Sequence, residues 1–107
     1  MTRREEKLER ILKDVCNYYR IEIGEIKGKS RLQPIVAARH TFCYLARRYS
    51  PSSLNEIGSV VNRSHSNVIS SIESVKQMSM LYKEVRDDLA YITEDESIYK
   101  SNERLYE

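Results

Sequence analysis

The chain has 107 residues, of which 40% are hydrophobic and 32% are charged, and its formal net charge is +2. This length fits one domain with one modest core, and this composition excludes an intrinsically disordered chain. The first residues, MTRREEKLER, are too polar for a signal peptide, and no apolar run approaches the roughly 20 residues that span a bilayer, so we expect a cytoplasmic protein without a membrane partner.

The first half of the chain shows helical periodicity, and the scarcity of glycine and proline favours long helices with short connections. A first helix is predicted over roughly residues 4–19. Its apolar stripe consists of Leu8, Ile11, Leu12, Val15 and Tyr19. The segment 21–26 is predicted to form a turn and a short helix. Pro34 suits the first turn of the next helix. The apolar face of that helix consists of Ile35, Ala38, Phe42, Leu45 and Tyr49.

A helix–turn–helix is predicted over about residues 53–77. The segment 53–56 fits a capping box, in which a serine and a glutamate satisfy each other's backbone amides at the start of a short helix. Asn62 and Arg63 form the expected turn. Ser64 is the expected N-cap of the second helix.

A last helix is predicted to follow this motif, with an inward face of Met78, Leu81, Val85, Leu89 and Ile92. We therefore expect an all-α fold of about six helices in a single domain over residues 1–92. Residues 93–107 begin with an acidic cluster and are expected to form a tail that frays or makes a short helix.

The stretch from Ile26 to Asn55 contains no acidic residue. Its basic residues are Lys27, Lys29, Arg31, Arg39, Arg47 and Arg48. Basic side chains without neighbouring acids attract a polyanion, and charge that is segregated along the chain steers that polyanion to one face. Ordinary solvated charge is the alternative explanation. The complete lack of acids in this stretch favours contact with phosphates.

The predicted helix–turn–helix has the features that DNA binding requires. Gly58 is a small residue where the two helices approach each other, and the turn is short and polar. His65, Ser66 and Asn67 place polar side chains at the start of the second helix, where they can meet base edges and phosphates. The chain is therefore predicted to bind DNA.

Several segments follow one another in a specific order: Lys29 to Arg31, Ala38-Arg39-His40, Tyr44-Leu45-Ala46-Arg47, Ser53-Leu54-Asn55-Glu56-Ile57-Gly58, and Val61 to Val68. In these segments the chain resembles the C-terminal DNA-binding domain of the bacterial replication initiator DnaA. The motif of that family runs from a basic segment through A-R-Q, Y-L-x-R and S-L-x-x-I-G to F-G-x-R-D-H-T-T-V. The resemblance implies a Trp-repressor-like helical fold that binds double-stranded DNA.

In that family an arginine of the basic segment enters the minor groove, and the D-H-T-T turn contacts bases and phosphates in the major groove. The resemblance therefore implies a minor-groove role for Arg31 and a major-groove role for residues 64–67. Arg39, His40 and Arg47 match positions that hold phosphates. The complete set of candidate DNA-binding residues is Lys29, Arg31, Arg39, His40, Arg47, Leu54, Asn55, Arg63, Ser64, His65, Ser66 and Asn67.

The recognition turn departs from the family motif. Ser64 stands where the family has an acidic residue, and Ser66 and Asn67 stand where it has two threonines. We therefore expect a DNA site other than the initiator's own. The sequence leaves open whether binding is sequence-specific and whether it serves replication or transcription control. The main alternative is a protein-interaction module that has the same fold but has lost DNA binding, which the altered turn makes credible.

A second alternative is a subunit of a nucleic-acid enzyme whose catalytic partner is supplied in trans. The chain itself is not expected to be an enzyme, because it shows neither a nucleophile paired with a base nor a phosphate-binding glycine loop. Cys16 and Cys43 lie in apolar helical stretches and are expected to be buried free thiols. Their spacing with the two histidines fits no zinc pattern, so no metal or other cofactor is expected. The oligomeric state is left open.

Overall fold

The computed structural model describes residues 2–99, without the side chains of residues 96 and 97. Over this range the chain forms α-helices and no strand. The helices are α1 (Arg3–Tyr19), α2 (Ile23–Lys27), α3 (Gln33–Tyr49), α4 (Leu54–Val61), α5 (His65–Leu81), α6 (Lys83–Ile92) and α7 (Glu96–Tyr99). The prediction of an all-α fold is confirmed, and α7 adds a single turn to the six expected helices. Residues 100–107 of the expected tail lie outside the described residues.

Helix α3 forms the centre of the fold and packs against α1, α2, α4 and α5. Pro34 lies in its first turn, as predicted. Four of the residues that periodicity predicts to face inward are buried: Ile35, Ala38, Phe42 and Leu45. The fifth, Tyr49, is half-buried at the edge of the core. Because α3 is enclosed by its neighbours, it provides a rigid support for the helix–turn–helix and for the connection between α2 and α3.

Helix α1 covers one side of α3 and has the predicted apolar stripe. Its buried residues are Leu8, Ile11, Leu12, Val15 and Cys16. A capping box starts the helix, because the Thr2 hydroxyl accepts from the backbone amide of Glu5 over 3.1 Å and the Glu5 carboxylate accepts from the amide of Thr2 over 2.8 Å. The helix ends at Arg20, which has a left-handed backbone with φ of 58°. The short helix predicted within residues 21–26 is confirmed as α2.

Both cysteines are free thiols in the core, as predicted. Cys16 lies on α1 and Cys43 on α3. Burial raises the pKa of the Cys43 thiol to about 12. This thiol therefore stays protonated at neutral pH and behaves as a small apolar core residue.

The junction between α5 and α6 differs from the prediction. The helix expected to end near residue 77 continues to Leu81, and the chain breaks at Tyr82, whose backbone is extended. Met78 and Leu81 were expected to face inward but are 45% and 73% exposed. The predicted stripe assumed one continuous helical phase through this region. The break at Tyr82 resets that phase, so that Ile92 is the buried residue of α6.

The described residues of the expected tail pack against α1. The Tyr99 side chain is 1% exposed, and its hydroxyl donates to the carboxylate of Asp14 over 2.9 Å. Arg10 and Asp95 form an ion pair with an N–O distance of 2.6 Å. Residues 93–99 are therefore part of the folded unit, although the composition of this region suggested a boundary before them.

Candidate nucleic-acid interface

A tight turn joins α4 to α5. Asn62 ends α4 with a left-handed backbone at φ of 60°, a conformation that asparagine tolerates better than most residues. The backbone amide of Arg63 then donates to the carbonyl oxygen of Gly58 over 2.8 Å. A Cβ atom at Gly58 would lie 2.3 Å from the carbonyl oxygen of Arg63. Glycine is therefore required where the chain folds back on α4, as the sequence predicted.

Helix α4 begins with the predicted capping box. The Ser53 hydroxyl accepts from the amide of Glu56 over 3.1 Å, and the Glu56 carboxylate accepts from the amide of Ser53 over 2.8 Å. These hydrogen bonds lower the pKa of Glu56. In the same turn Asn55 is exposed, whereas Leu54 is half-buried against the core. Asn55 therefore offers its side chain to a ligand, and Leu54 offers mainly its backbone amide.

Helix α5 begins with an exposed polar turn. The Ser64 hydroxyl caps the helix by accepting from the backbone amide of Asn67 over 3.3 Å, as predicted. His65, Ser66 and Asn67 are exposed, and the first turn of α5 contains no acidic residue. The positive end of the helix dipole and its free amides therefore face solvent without a neighbouring carboxylate in that turn. This arrangement favours contact with an anion such as a phosphate.

The same face of α5 continues through two residues that are not among the candidates predicted from the sequence. Ile69 is 43% exposed, and Ser70 is also exposed, one helical turn beyond His65 and Ser66. The sequence contains one signal that could have indicated Ile69. This isoleucine lies outside the inward-facing stripe of α5, four residues after the histidine at the start of the helix. An exposed branched side chain next to polar ones can contact the methyl group of thymine.

A carboxylate limits the length of this face. Glu73 is exposed one turn beyond Ile69, and its carboxylate lies 3.6 Å from the ammonium of Lys76. At a DNA surface this carboxylate would face phosphates of the same sign, and the repulsion grows as the distance falls. The part of α5 that suits DNA contact is therefore its first two turns, residues 65–72.

The connection between α2 and α3, residues 28–32, forms a basic loop. Its Lys29 and Arg31 side chains are exposed. The Arg63 guanidinium donates through Nη2 to the carbonyl oxygen of Gly28 over 2.6 Å. Its Nη1 donates to carbonyl oxygens within the helix–turn–helix, at 3.1 Å to Val61 and 3.0 Å to residue 62. One side chain therefore joins the basic loop to the turn and brings the loop next to the start of α5.

Arg39 occupies a different position from the one predicted. Its side chain is 6% exposed, and Nε donates to the carbonyl oxygen of Ile26 over 2.8 Å. Its terminal nitrogens donate to the carbonyl oxygens of Gly28 over 3.3 Å and Ser30 over 3.4 Å. Burial lowers the pKa of Arg39, and the nearby charge of Arg63 lowers it further. The predicted phosphate contact does not match this position, because the guanidinium is used inside the fold.

His40 and Arg47 are half-buried on α3. The Arg47 guanidinium donates to the carbonyl oxygen of Ser52 over 3.5 Å. Burial lowers the pKa of His40, and the charge of Arg39 lowers it further. His40 is therefore neutral at neutral pH. Both side chains remain partly accessible, and their contact with phosphates stays a prediction.

Residues 8–75 match the family described as "Bacterial dnaA protein helix-turn-helix". The matched region runs from α1 through most of α5, and so includes the basic loop and the turn. The chain belongs to this family. The resemblance predicted from the sequence is thereby confirmed. The bacterial DnaA helix–turn–helix is a DNA-binding domain and not a class of enzyme, so membership indicates DNA binding as the class of function.

Curated relatives carry the same identification. The chain is 32% identical over 82 residues to the chromosomal replication initiator protein DnaA of Desulfatibacillum aliphaticivorans. The aligned region covers 77% of this chain and 18% of that protein. It is 34% identical over 91 residues to the protein of the same name from Bacteroides thetaiotaomicron, which covers 84% of this chain and 19% of that protein. The chain thus spans less than a fifth of the length of these DnaA relatives.

Two further observations concern other kinds of site. None of the helices within residues 2–99 is long and apolar enough to cross a membrane. Across the same part of the chain, histidine, cysteine and acidic side chains form no group of three or more that could hold a metal ion.

Proposed function

We propose that this chain binds double-stranded DNA, with residues 65–72 of α5 in the major groove and Arg31 in an adjacent minor groove. One observation carries the proposal: the hydrogen bond from Arg63 to Gly28 holds the basic loop beside the exposed start of α5. A basic segment supplies attraction to the phosphate backbone, and a polar helix start supplies contacts with base edges. Both are needed for specific binding, and here they are neighbours.

Two groups of exposed or partly exposed residues differ in what they can contact. We propose that Lys29, His40 and Arg47 contact phosphates, which are the same in every sequence, and so position the protein on the duplex. We propose that the exposed residues of the first two turns of α5 contact base edges, and these are His65, Ser66, Asn67, Ile69 and Ser70. We propose that binding is sequence-specific and that the preferred site differs from the initiator's own, because Ser64, Ser66 and Asn67 replace the family's acidic and threonine residues.

The biological role that fits this binding is control of replication initiation or of transcription. The relatives are named chromosomal replication initiator proteins, and the part of them that matches this chain includes the helix–turn–helix. A domain of this kind acts through contact with DNA and without catalysis. Its binding would direct a regulatory event to a particular site on the duplex.

A titration of fluorescent random duplex DNA over a series of salt concentrations tests the proposal. If about four or five phosphates are engaged, the logarithm of the affinity should fall with the logarithm of salt at a slope of about −4. A slope indistinguishable from zero would exclude this mode of binding. Selection of bound sequences from a random duplex pool then tests specificity, since a specific protein enriches a common site and a non-specific one does not.

A second candidate function is a protein-interaction module. The observation in its favour is an apolar patch at the junction of α5 and α6, where Met80, Leu81 and Tyr82 are 79%, 73% and 51% exposed. Exposed apolar patches of this kind often mark protein contacts. Folded protein that shows no affinity for any duplex at low salt would favour this function over DNA binding.

A further inference from the structure

We infer that Arg63 and Arg39 are positioning residues that hold the basic loop at a set distance from the recognition helix, and that neither acts as a phosphate contact. This inference rests on the proposed function, because it assigns the two arginines a role in how Arg31 and α5 engage one duplex.

Two guanidinium groups meet at one backbone carbonyl. The oxygen of Gly28 accepts from Arg63 over 2.6 Å and from Arg39 over 3.3 Å. A carbonyl oxygen has two lone pairs and can accept both bonds. Arg39 also donates to the carbonyl oxygens of Ile26 and Ser30, so the loop backbone is held from α3 along much of its length. The loop is thus fixed from α3 on one side and from the helix–turn–helix on the other.

The positive charges of Arg39 and Arg63 lie close together at the carbonyl oxygen of Gly28. Among the described residues, no carboxylate forms an ion pair with Arg39 or Arg63. Two like charges that share an acceptor repel each other, and the pKa of Arg39 is lowered partly for that reason. Hydrogen bonds from charged donors are roughly twice as strong as neutral ones. The carbonyls of the loop therefore compensate for this repulsion, and the negative field of a duplex would relieve it further.

Arg63 is well placed to transmit a constraint. The same guanidinium that holds Gly28 also donates to the carbonyl oxygens of Val61 and Asn62, just before the N-cap of α5. The spacing between Arg31 and the start of α5 is therefore set before DNA arrives. A preorganised pair of contacts loses less conformational freedom on binding than a mobile loop and a helix that engage independently.

Substitution of Arg63 separates positioning from phosphate contact. Arg63→Lys keeps the charge, and lysine contacts phosphates well as a point charge. A single ammonium lacks the planar fork, however, and cannot bond the turn carbonyls and Gly28 at once. A phosphate contact therefore predicts that Arg63→Lys binds almost as well as the parent and that Arg63→Ala binds all duplexes more weakly. Positioning predicts that both variants lose the preference that Arg31 confers.

The decisive measurement is a double-mutant cycle between Arg63 and Arg31 on paired duplexes with A·T-rich or G·C-rich flanks. In the parent, Arg31→Ala should lower affinity on A·T-rich flanks by about tenfold, and in the Arg63→Lys background by less than about twofold. Additive effects would overturn the inference while leaving the proposed function in place. A parent protein that binds no duplex would instead overturn the proposed function, and the inference with it.

Two controls separate positioning from a general loss of stability. Leu8→Ala removes a buried side chain of α1 and lowers the melting temperature without touching the loop. It should keep the flank preference below that temperature, and loss of the preference in this variant would also overturn the inference. Hydrogen exchange gives a readout without DNA. In Arg63→Lys the amides of residues 28–32 should exchange faster than in the parent, while the amides of α1 should not change.

Discussion

Arg63 donates a 2.6 Å hydrogen bond to the carbonyl oxygen of Gly28, which lies 35 residues earlier in the chain. This contact joins the turn of the helix–turn–helix to the basic loop, two segments that sequence order keeps apart. In the proposed mode of binding, contact with both grooves would depend on that connection, because the loop carries the exposed Arg31 and the turn precedes the exposed start of α5.

Substitution of Gly58 by alanine should destabilise the protein. An added Cβ atom would lie 2.3 Å from the carbonyl oxygen of Arg63, so the turn would have to shift. We expect the free energy of unfolding to fall by about 1–3 kcal/mol in urea denaturation, even though alanine is the better helix former.

Gly24→Ala is the matched control for that change. Nothing lies within 4 Å of a Cβ atom placed at Gly24, which is also helical. This substitution should be neutral or should stabilise the protein by roughly 0.5–1 kcal/mol. Equal effects of the two substitutions would contradict the role assigned to the turn.

Substitutions should separate residues that position the protein from residues that read bases. Arg47→Ala should weaken binding to all duplexes by a similar factor, since phosphates are the same in every sequence. His65→Ala and Asn67→Ala should reduce the preference between sites, each by roughly 1–3 kcal/mol if the side chain meets a base edge. Affinities measured on a panel of duplexes provide the test. An unchanged rank order in all three variants would show that the first turn of α5 is not the reading surface.

Arg31→Ala should reduce affinity more on A·T-rich flanks than on G·C-rich flanks. The side chain is exposed on the basic loop, and A-tracts have a narrow minor groove whose concentrated negative potential attracts arginine. Arg31→Lys should recover only part of the loss, because lysine lacks the planar fork.

Arg86→Ala serves as the matched control for the loss of one arginine. Arg86 lies on α6 and donates to the carbonyl oxygen of Ser79, near the far end of α5. It should change affinity on both kinds of flank by the same small factor. An equal loss on both flanks for Arg31→Ala would reduce Arg31 to an ordinary phosphate contact.

Stability should decrease as the pH falls through about 6.5, the ordinary pKa of histidine. Burial lowers the pKa of His40 in the folded chain, so between its folded and unfolded pKa values the unfolded chain binds more protons than the folded one. The contribution of neutral His40 is fully present above pH 6.5 and is lost below it. His40→Gln should flatten the dependence of the unfolding free energy on pH between about 7 and 5.

Two features isolate this effect from other titrations. The capping carboxylates Glu5 and Glu56 have pKa values lowered from 4.5 by their hydrogen bonds, so their contributions are lost only at lower pH. His65→Gln removes the other histidine at an exposed position and is the matched control. A dependence on pH that is unchanged in His40→Gln would assign the acid sensitivity to another group.

Local rules account for the elements that sequence predicted well. The capping box at Ser53 and Glu56, the N-cap at Ser64 and the position of Pro34 in the first turn of α3 each depend on residues within one turn of one another. The need for glycine at position 58 follows from the close approach within the motif. These features are encoded locally, and the structure has them where they were expected.

The features that sequence did not predict depend on distant contacts. An arginine in an acid-free stretch can face solvent or a backbone carbonyl, and only the path of residues 26–30 decides that Arg39 faces inward. No glycine or proline marks the break at Tyr82, so periodicity alone could not locate it. The burial of Tyr99 depends on a partner on α1 that is 85 residues away. Composition in that region indicates only an acidic tail.

The position of the Glu73 carboxylate limits how many base pairs one molecule of this protein would contact in the proposed complex. The two helical turns before it rise about 12 Å, and base pairs are spaced about 3.4 Å apart, so in the proposed complex α5 would face about three or four base pairs. A DNA sequence of that length occurs by chance very many times in any bacterial chromosome. In the proposed mode of binding, the minor-groove contact of Arg31 would add to the few base pairs that α5 can distinguish, so the placement of the basic loop beside α5, more than either element alone, would set the selectivity of one copy.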